Sequence, residues 1–421
     1  AKAHGDKPMP DAAKVILKSM AKDLGYDVFV QGSGRTDCFA AVSLAIETSG
    51  VTIASPATWE NVRSGIQYSW FAAAGFFGYP LQASPPPGPV DDVGWFAGIV
   101  RPGNSTSARF TVTNPTNATI VATITPCVHE QIGSTKIYSG KTGPLKGWLE
   151  DYGDQFTIDM SEMPSETDMM LAALTVPYGY FDLDGDYQWD NRFRIFVLDW
   201  IDTNHDGVVD PTEVFIVNYG YNTGTTIEAR VGFPPSKLKG KPVVWISQVN
   251  QTQVPIAPVP YKVYVSYFKR ERWAWITTPA DITVEANSSE SFTARLMVPT
   301  GASQSIYEGQ IVFNITEPYA RAIVIPLSLA VPMVLSPGDL TIDITPPNKT
   351  ELYDPYRVNG YFDWRWRYEA GDWKTWLIDI QDPSVAAAFI SCNWTGKMTD
   401  IDMFVISPTG IIVGSAVSPY L

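Results

Sequence analysis

The chain has 421 residues, with 30 Lys and Arg against 44 Asp and Glu and a formal charge of −14. That length exceeds what one ordinary core organises, so several domains are expected, and the acidic balance argues against nucleic acid while favouring cations. Only 18% of residues are charged while 13% are aromatic, and the wealth of Thr, Val, Tyr and Pro predicts a mainly β fold of tandem β-sandwich domains, immunoglobulin/fibronectin-like and jelly-roll-like.

The chain opens without a signal peptide, as if in the middle of a larger polypeptide. Pro10 suits a first helical position, Asp11 the positive helix start and Gly25 the stop; Ile16, Met20 and Leu24 share a face with Ala13 and Leu17. A second short helix is predicted from Thr36 as N-cap through Asp37 and Ala40 to Ile46. Residues 1–50 are too few for a core of their own, so both helices must pack on later domains or on material outside the chain.

Residues 51–92 are aromatic and Pro-rich and end in ASPPPGPVDD, which reads as an extension and a stiff linker. From Trp95 onward alternation takes over. Phe110 and Val112 precede the turn Asn114–Asn117, and Ala118, Ile120, Ala122 and Ile124 follow at period two, predicting a hairpin with one buried face. A similar unit returns as Ile282 and Val284, the turn ANSSES, then Phe292, Ala294, Leu296 and Val298, with Ile311, Phe313 and Ile315 alternating beyond it. NSTSARFTV and NSSESFTAR look like one sandwich module used twice. The expected units are a β-sandwich over 93–276 with an inserted hairpin, and a second small one over 277–333. The apolar run Ala322 to Leu335 is broken by Pro326 and Pro332, too short to span a bilayer, and reads as a strand and its exit. A third β-region covers 334–421, with Phe362, Trp364 and Trp366 opposite Arg365 and Arg367; Trp364, Trp366, Trp373, Trp376 and Trp394 form either a core or a sugar-stacking platform.

The sharpest chemical signal is the run from Asp202 to Glu213. Oxygen-bearing Asp202, Asn204, Asp206, Asp210 and Glu213 fall at positions 1, 3, 5, 9 and 12 of an EF-type loop, Gly207 stands at the sharp turn, and Val208 offers its backbone carbonyl at position 7. These carboxylates would repel one another without a cation, and Ca²⁺ accepts this ligand number at a flexible geometry. The flanks FRIFVLDW and EVFIVNYG alternate like strands, so the loop is expected in a β-hairpin. His205 occupies a non-ligand position. A second cluster, Asp182, Asp184, Asp186 and Asp190, meets the template only in part, because Gly185 is at position 4 and Phe193 replaces the terminal acid. Calcium binding and an Asp-rich turn both stand open there.

Cys38, Cys127 and Cys392 are too far apart for a CxxC motif and too few for a disulfide scaffold; a Cys127–Cys392 bridge and buried free thiols both remain open. Seven Asn-x-Ser/Thr sequons, at Asn104, Asn117, Asn250, Asn287, Asn314, Asn348 and Asn393, suit an exported glycoprotein. The three histidines, His4, His129 after a predicted strand and His205, have no GTSxA or GxSxG serine to serve, so no catalytic centre is predicted.

The order helix, AKDLGYDVFVQGSGRTD (Ala21–Asp37), then CFAAVSLA resembles the end of the catalytic domain of subtilisin-like serine peptidases. The remainder is similar to the C-terminal extensions of large archaeal, pyrolysin-like members. The resemblance implies that residues 1–50 are the closing helices of an α/β subtilase domain whose triad lies upstream of Ala1. GDWKTWLIDI through DIDMFVISPTG resembles a jelly-roll or pre-peptidase-type sandwich, with further strands expected after Leu421. Three functions follow as expectations: the non-catalytic, calcium-stabilised C-terminal region of a secreted endopeptidase; a processed structural component, a filament or envelope protein assembled by strand sharing; or a glycan- or peptide-binding adhesion module. The corresponding partners are the missing catalytic half, neighbouring copies or glycans, at an extracellular or cell-surface location, with no nucleic acid and no membrane span.

Overall fold

The computed structural model describes residues 10–57, 90–145, 148, 152–181, 183–184, 190–221, 226–232, 238–335, 337–338, 340–341, 376–393, 403–406 and 412–416. Three helices come first, α1 (Pro10–Ser19), α2 (Val28–Gln31) and α3 (Cys38–Ala45). The strands are β1 (Thr52–Ala57), β2 (Val90–Asp92), β3 (Trp95–Ile99), β4 (Ser105–Asn114), β5 (Ile120–Lys141), β6 (Gly143–Pro144), β7 (Tyr152–Thr157), β8 (Met169–Thr175), β9 (Asn191–Trp200), β10 (Val214–Tyr221) and β11 (Thr226–Val231). They continue with β12 (Lys241–Asn250), β13 (Pro260–Arg272), β14 (Ile276–Thr277), β15 (Asp281–Val284), β16 (Ser288–Met297), β17 (Ser305–Glu317), β18 (Arg321–Val331), β19 (Met333–Leu335), β20 (Ile378–Ile380), β21 (Met403–Ile406) and β22 (Ile412–Ala416).

The body is mainly β and forms tandem sandwiches, as composition and alternation predict. One long sheet runs β11-β8-β13-β5-β17-β18-β3, with β15 pairing β5 at the side, and two five-stranded sheets face it: β14-β16-β4-β1-β2 and β10-β9-β12-β7-β6. Strand β5 spans both sandwiches. Its first part pairs with β15 and β17, its second with β13. Segments on either side of the expected boundary at 276/277 therefore share sheets, and β4 pairs with β16 along its whole length.

Period-two reading placed most of the buried residues of the first sandwich, though Ala118 is exposed in the turn before β5 and Ile282 is half-buried, and it joined the strands wrongly. Phe110, Val112, Ile120, Ala122, Phe292, Leu296 and Phe313 belong to one core, each nearly or fully buried. Yet β4 and β5 are not a hairpin: they lie in opposite sheets, and the Asn114–Asn117 turn carries the chain across the core. The Asn114 side chain closes that crossing, donating to the carbonyls of Ala118, Val284 and Glu285 and accepting from the Thr116 N–H. Two similar arches then interlock, β4 against β16 and β5 against β15, with the Phe110 and Phe292 rings stacked 5.1 Å apart. Burying each such ring contributes about 1.5–3 kcal/mol.

The opening helices pack on this chain's own sandwich. Met20, Ala40, Ala41 and Leu44 join the first core. Helix α1 stops at Ser19, short of Gly25, because Lys22 turns into a bridge with Arg35 (N···O 2.8 and 2.9 Å). Gly34 makes that approach possible: its φ is +120°, and a Cβ there would meet the Lys22 carbonyl oxygen at 2.3 Å. The N-cap of α3 is Asp37, not Thr36, its carboxylate accepting the Ala40 N–H at 3.0 Å.

Charge pairs clasp residues 20–37 to the sheets. Arg270 of β13 grips Asp23 with both guanidinium arms (2.5 and 2.9 Å), Arg230 of β11 lies 3.2 Å from Asp27, and Arg321 of β18 donates to the Met20 carbonyl beside Asp37. The Val28 N–H donates to the buried Glu308. Burial raises the Asp23 carboxyl, but the bonds and charge of Arg270 with the Gly25 N–H outweigh it and hold that group at about 2. Among the described residues, no helix is long and apolar enough to cross a membrane.

Candidate metal centre

Strands β9 and β10 are antiparallel neighbours, so the Asp202–Glu213 loop sits on a β-hairpin. Its neck is closed by the Trp200–Val214 pair and by the Ile201 N–H donating to the Glu213 carbonyl at 3.0 Å. Within the loop, side-chain oxygens organise the backbone. The Asp202 carboxylate accepts the Gly207 N–H (3.1 Å), the Asn204 amide oxygen the Asp206 N–H (2.9 Å), and the Asp206 carboxylate the Val208 N–H (2.7 Å). Gly207 turns the chain at φ 72°, and His205 also takes a left-handed φ of 62° while remaining exposed.

The last two positions are held differently. Asp210 caps a short 3₁₀ turn at Pro211–Glu213 by accepting the Thr212 N–H and hydroxyl, which lower its pKa. Glu213 is buried; one oxygen accepts the Thr203 hydroxyl (2.6 Å) and the N–H groups of Thr203 and Asn204, the other the Trp200 indole N–H (3.3 Å). The Thr203 hydroxyl is the main cause of its lowered pKa. With Asp210 and Glu213 so occupied, no three acidic, His or Cys side chains gather as a metal cluster among the described residues.

One oxygen has no such occupation. Asp202 Oδ1 is buried and has no hydrogen-bond partner, a costly condition for a carboxylate and one that a bound cation would relieve. Asp202, Asn204, Asp206 and the Val208 carbonyl lie in the first two-thirds of the loop, and Glu213, at the end of the 3₁₀ turn, reaches the same stretch through its hydrogen bonds to Thr203 and Asn204. The oxygen-only donor set suits a hard divalent cation.

The loop rests on an aromatic floor that sequence reasoning missed. Val209 and Val214 pack against Trp148, Phe196, Leu198, Trp200, Val243 and Trp245 on the outer face of β9 and β12. Gln155 of β7 donates to the Val209 carbonyl at 3.4 Å. The floor's residues come from β9, β12 and the loop at Trp148, so only the alternation of Phe196, Leu198 and Trp200 in β9 hinted at it.

Of the second acidic cluster, Asp182 and Asp186 lie outside the described residues, and Asp184 is exposed. Asp190 is buried and accepts the Leu183 N–H (2.6 Å) and the Thr252 hydroxyl, the latter chiefly lowering its pKa; it ties two loops together. His129 lies inside β5 rather than after a strand, because β5 runs on to Lys141. It is buried, 3.9 Å from Glu308 and within a 3.4 Å hydrogen bond of Arg270. His4 falls outside the described residues. Cys38, Cys127 and Cys392 are free thiols. Asn104, Asn117, Asn250, Asn287 and Asn393 are exposed, Asn314 is half-buried in β17, and Asn348 lies outside the described residues. The Asn287 amide donates to Asn117 at 3.0 Å. Trp364, Trp366, Trp373 and Trp394 also fall outside, while Trp376 is half-buried.

No protein-family model matches the chain, and no curated protein matches it. Among solved structures, a PapD-like domain of human CEP192 is similar at TM-score 0.20 and 7% identity, covering 57% of this chain and 81% of that one. A family 123 glycoside hydrolase from Clostridium perfringens is similar at TM-score 0.18 and 8% identity, covering 56% of this chain and 22% of that one. Likenesses this slight carry no functional argument.

Proposed function

We propose that this chain is the non-catalytic, calcium-stabilised β-sandwich region of a secreted subtilisin-like serine endopeptidase. The observation that carries the calcium half is the β9–β10 loop, where three successive side-chain oxygens fold the backbone and the buried Asp202 Oδ1 lacks a hydrogen-bond donor. Asp202, Asn204, Asp206, the Val208 carbonyl and Glu213 would hold the ion, with Asp210 at the position often served through water. The ion would neutralise the loop's carboxylates and fix the hairpin to its aromatic floor. Its role in this reading is structural.

The peptidase half rests on the resemblance of Ala21–Asp37 and the following helix to the close of a subtilase catalytic domain. That segment is clasped by Arg230, Arg270 and Arg321, so it is joined firmly to the sandwiches it precedes. In such a protein this chain would brace the catalytic part and present the assembly outside the cell.

Two measurements test the halves separately. Calorimetric titration of the chain with calcium should show binding that Asp206→Ala abolishes; no heat and no change in melting on chelation would reject the site. Sequencing the native polypeptide upstream of Ala1 should reveal a GTSMA-type serine segment, and a different sequence there would reject the peptidase assignment.

A further inference from the structure

Among the described residues, the chain carries both a sheet edge without a partner strand and an exposed apolar segment outside any sheet. Residues 385–390, Val-Ala-Ala-Ala-Phe-Ile, belong to no helix or ladder, and Ala386, Ala387, Ala388, Phe389 and Ile390 are exposed, Phe389 at 94%. Five consecutive exposed apolar residues, following a half-buried Val385, are an unusual feature of a folded surface. Their root is firmly built. Strand β20 pairs in parallel with β19, Arg101 binds Asp379 through two contacts (2.5 and 3.0 Å), and the Asp382 carboxylate folds the turn that launches the segment by accepting the Ser384 N–H and hydroxyl.

Among the described residues the long sheet ends at β3, which pairs there with β18 alone. Phe96 and Ile99 project from it, 44% and 62% exposed. Other edges are guarded or too short: β2 has three residues, β11 carries Glu228 and Arg230, β6 is Gly143–Pro144, and β14 has two residues. Strand β10 is uncharged, but β11 lies across its second half, Asn218 donating to the Arg230 carbonyl. The charge pattern points the same way. In a chain of net charge −14, copies repel at long range, yet residues 93–100 and 383–393 contain no charged side chain.

We propose that Val385–Ser391 is a donor strand that adds to the β3 edge of a second copy of this chain. Backbone pairing would supply the affinity, and the donor's apolar residues would cover Phe96 and Ile99. Because each copy carries one donor and one acceptor, assembly closes as a pair if the exchange is reciprocal and extends as a filament if it is head to tail. The inference does not depend on the peptidase or calcium readings.

The test uses the whole 421-residue chain. Sedimentation velocity across a concentration series should show a dimer or larger species. Phe389→Asp and Ala387→Pro in the donor, and Phe96→Lys with Ile99→Lys in the acceptor, should each return the chain to monomer with an unchanged circular dichroism spectrum. A synthetic peptide of residues 384–393 in excess should dissociate the wild-type assembly. With Cys38 and Cys392 changed to Ser, a chain bearing Ala387→Cys should form a disulfide with a separate chain bearing Phe96→Cys. A wild-type monomer at every concentration overturns the proposal. So does assembly that survives either set of substitutions, or a disulfide that forms only when both cysteines are on one chain.

Discussion

In the first sandwich, β4 and β16 bury one face around Phe110 and leave the other to hydroxyl pairs such as Thr113–Ser289 (2.9 Å). In the second, β8 is buried at six of its seven positions, and three separate clusters lie around its sheets: one inside, one of Trp148, Phe196, Trp200 and Trp245 beneath the acidic loop, and one of Met169, Leu171 and Phe268. The first sandwich is closed mainly by apolar packing, which takes in Met20, Ala40, Ala41 and Leu44 of the opening helices. The second is closed by added cover: the Asp202–Glu213 hairpin outside β9 and β12, and the N-terminal segment, whose Tyr26 ring lies against Gly232 just after β11. A sheet covered on both faces needs material from elsewhere in the chain, and here that material is held by charge and, on the proposed function, by a cation.

The largest expected effect belongs to the apolar sandwich. Phe110→Ala removes a ring packed on Phe292 and Trp95 and should cost about 3–5 kcal/mol in denaturant unfolding. A loss below that of the hairpin variants would break the contrast. Next is the cation. With free calcium about 100-fold above Kd, chelation should remove about 2.7 kcal/mol, seen as a fall in Tm. Asp206→Ala should abolish that response, and Asp206→Ala with Phe110→Ala should be additive because the two sites lie in different cores.

The third effect is acid sensitivity. Asp23 is held at about 2 against an ordinary value of 3.8, so its folded pKa is depressed. Its contribution is present above the unfolded pKa and fades as pH falls from about 4 toward 2, a difference of about 2 kcal/mol. Asp23→Asn should flatten stability across that window in acid titrations followed by circular dichroism; an unchanged profile would remove Arg270 as the clasp. The smallest effect is Asp37→Ala, which deletes the N-cap of α3 and should lower stability by about 1 kcal/mol in the same unfolding assay.

Much of the first sandwich was legible. Alternation at Ile120, Ala122 and Ile124 and at Phe292, Ala294 and Leu296 marks the buried face, because a strand wet on one side must alternate. The same signal is silent on which strands pair, so Asn114–Asn117 read as a hairpin turn and proved a crossing between sheets. Strands such as β8 and β12 gave no alternation because both faces are covered. The acidic loop was legible for another reason: its residues are local, and a twelve-residue spacing states its own geometry. The floor beneath it was not, nor was the Asp23–Arg270 clasp, whose partners lie 247 positions apart.

By itself the sequence determined the β character, the inward-facing residues of the alternating strands, and the hairpin placement of Asp202–Glu213, all set by interactions within a few residues. Tertiary structure alone decided that two arches interlock in one sandwich, that β5 serves two sandwiches, and that the opening helices lie on this chain's own core. Those outcomes depend on side chains meeting across long loops, where burial and charge pairing, rather than local propensity, select the partner.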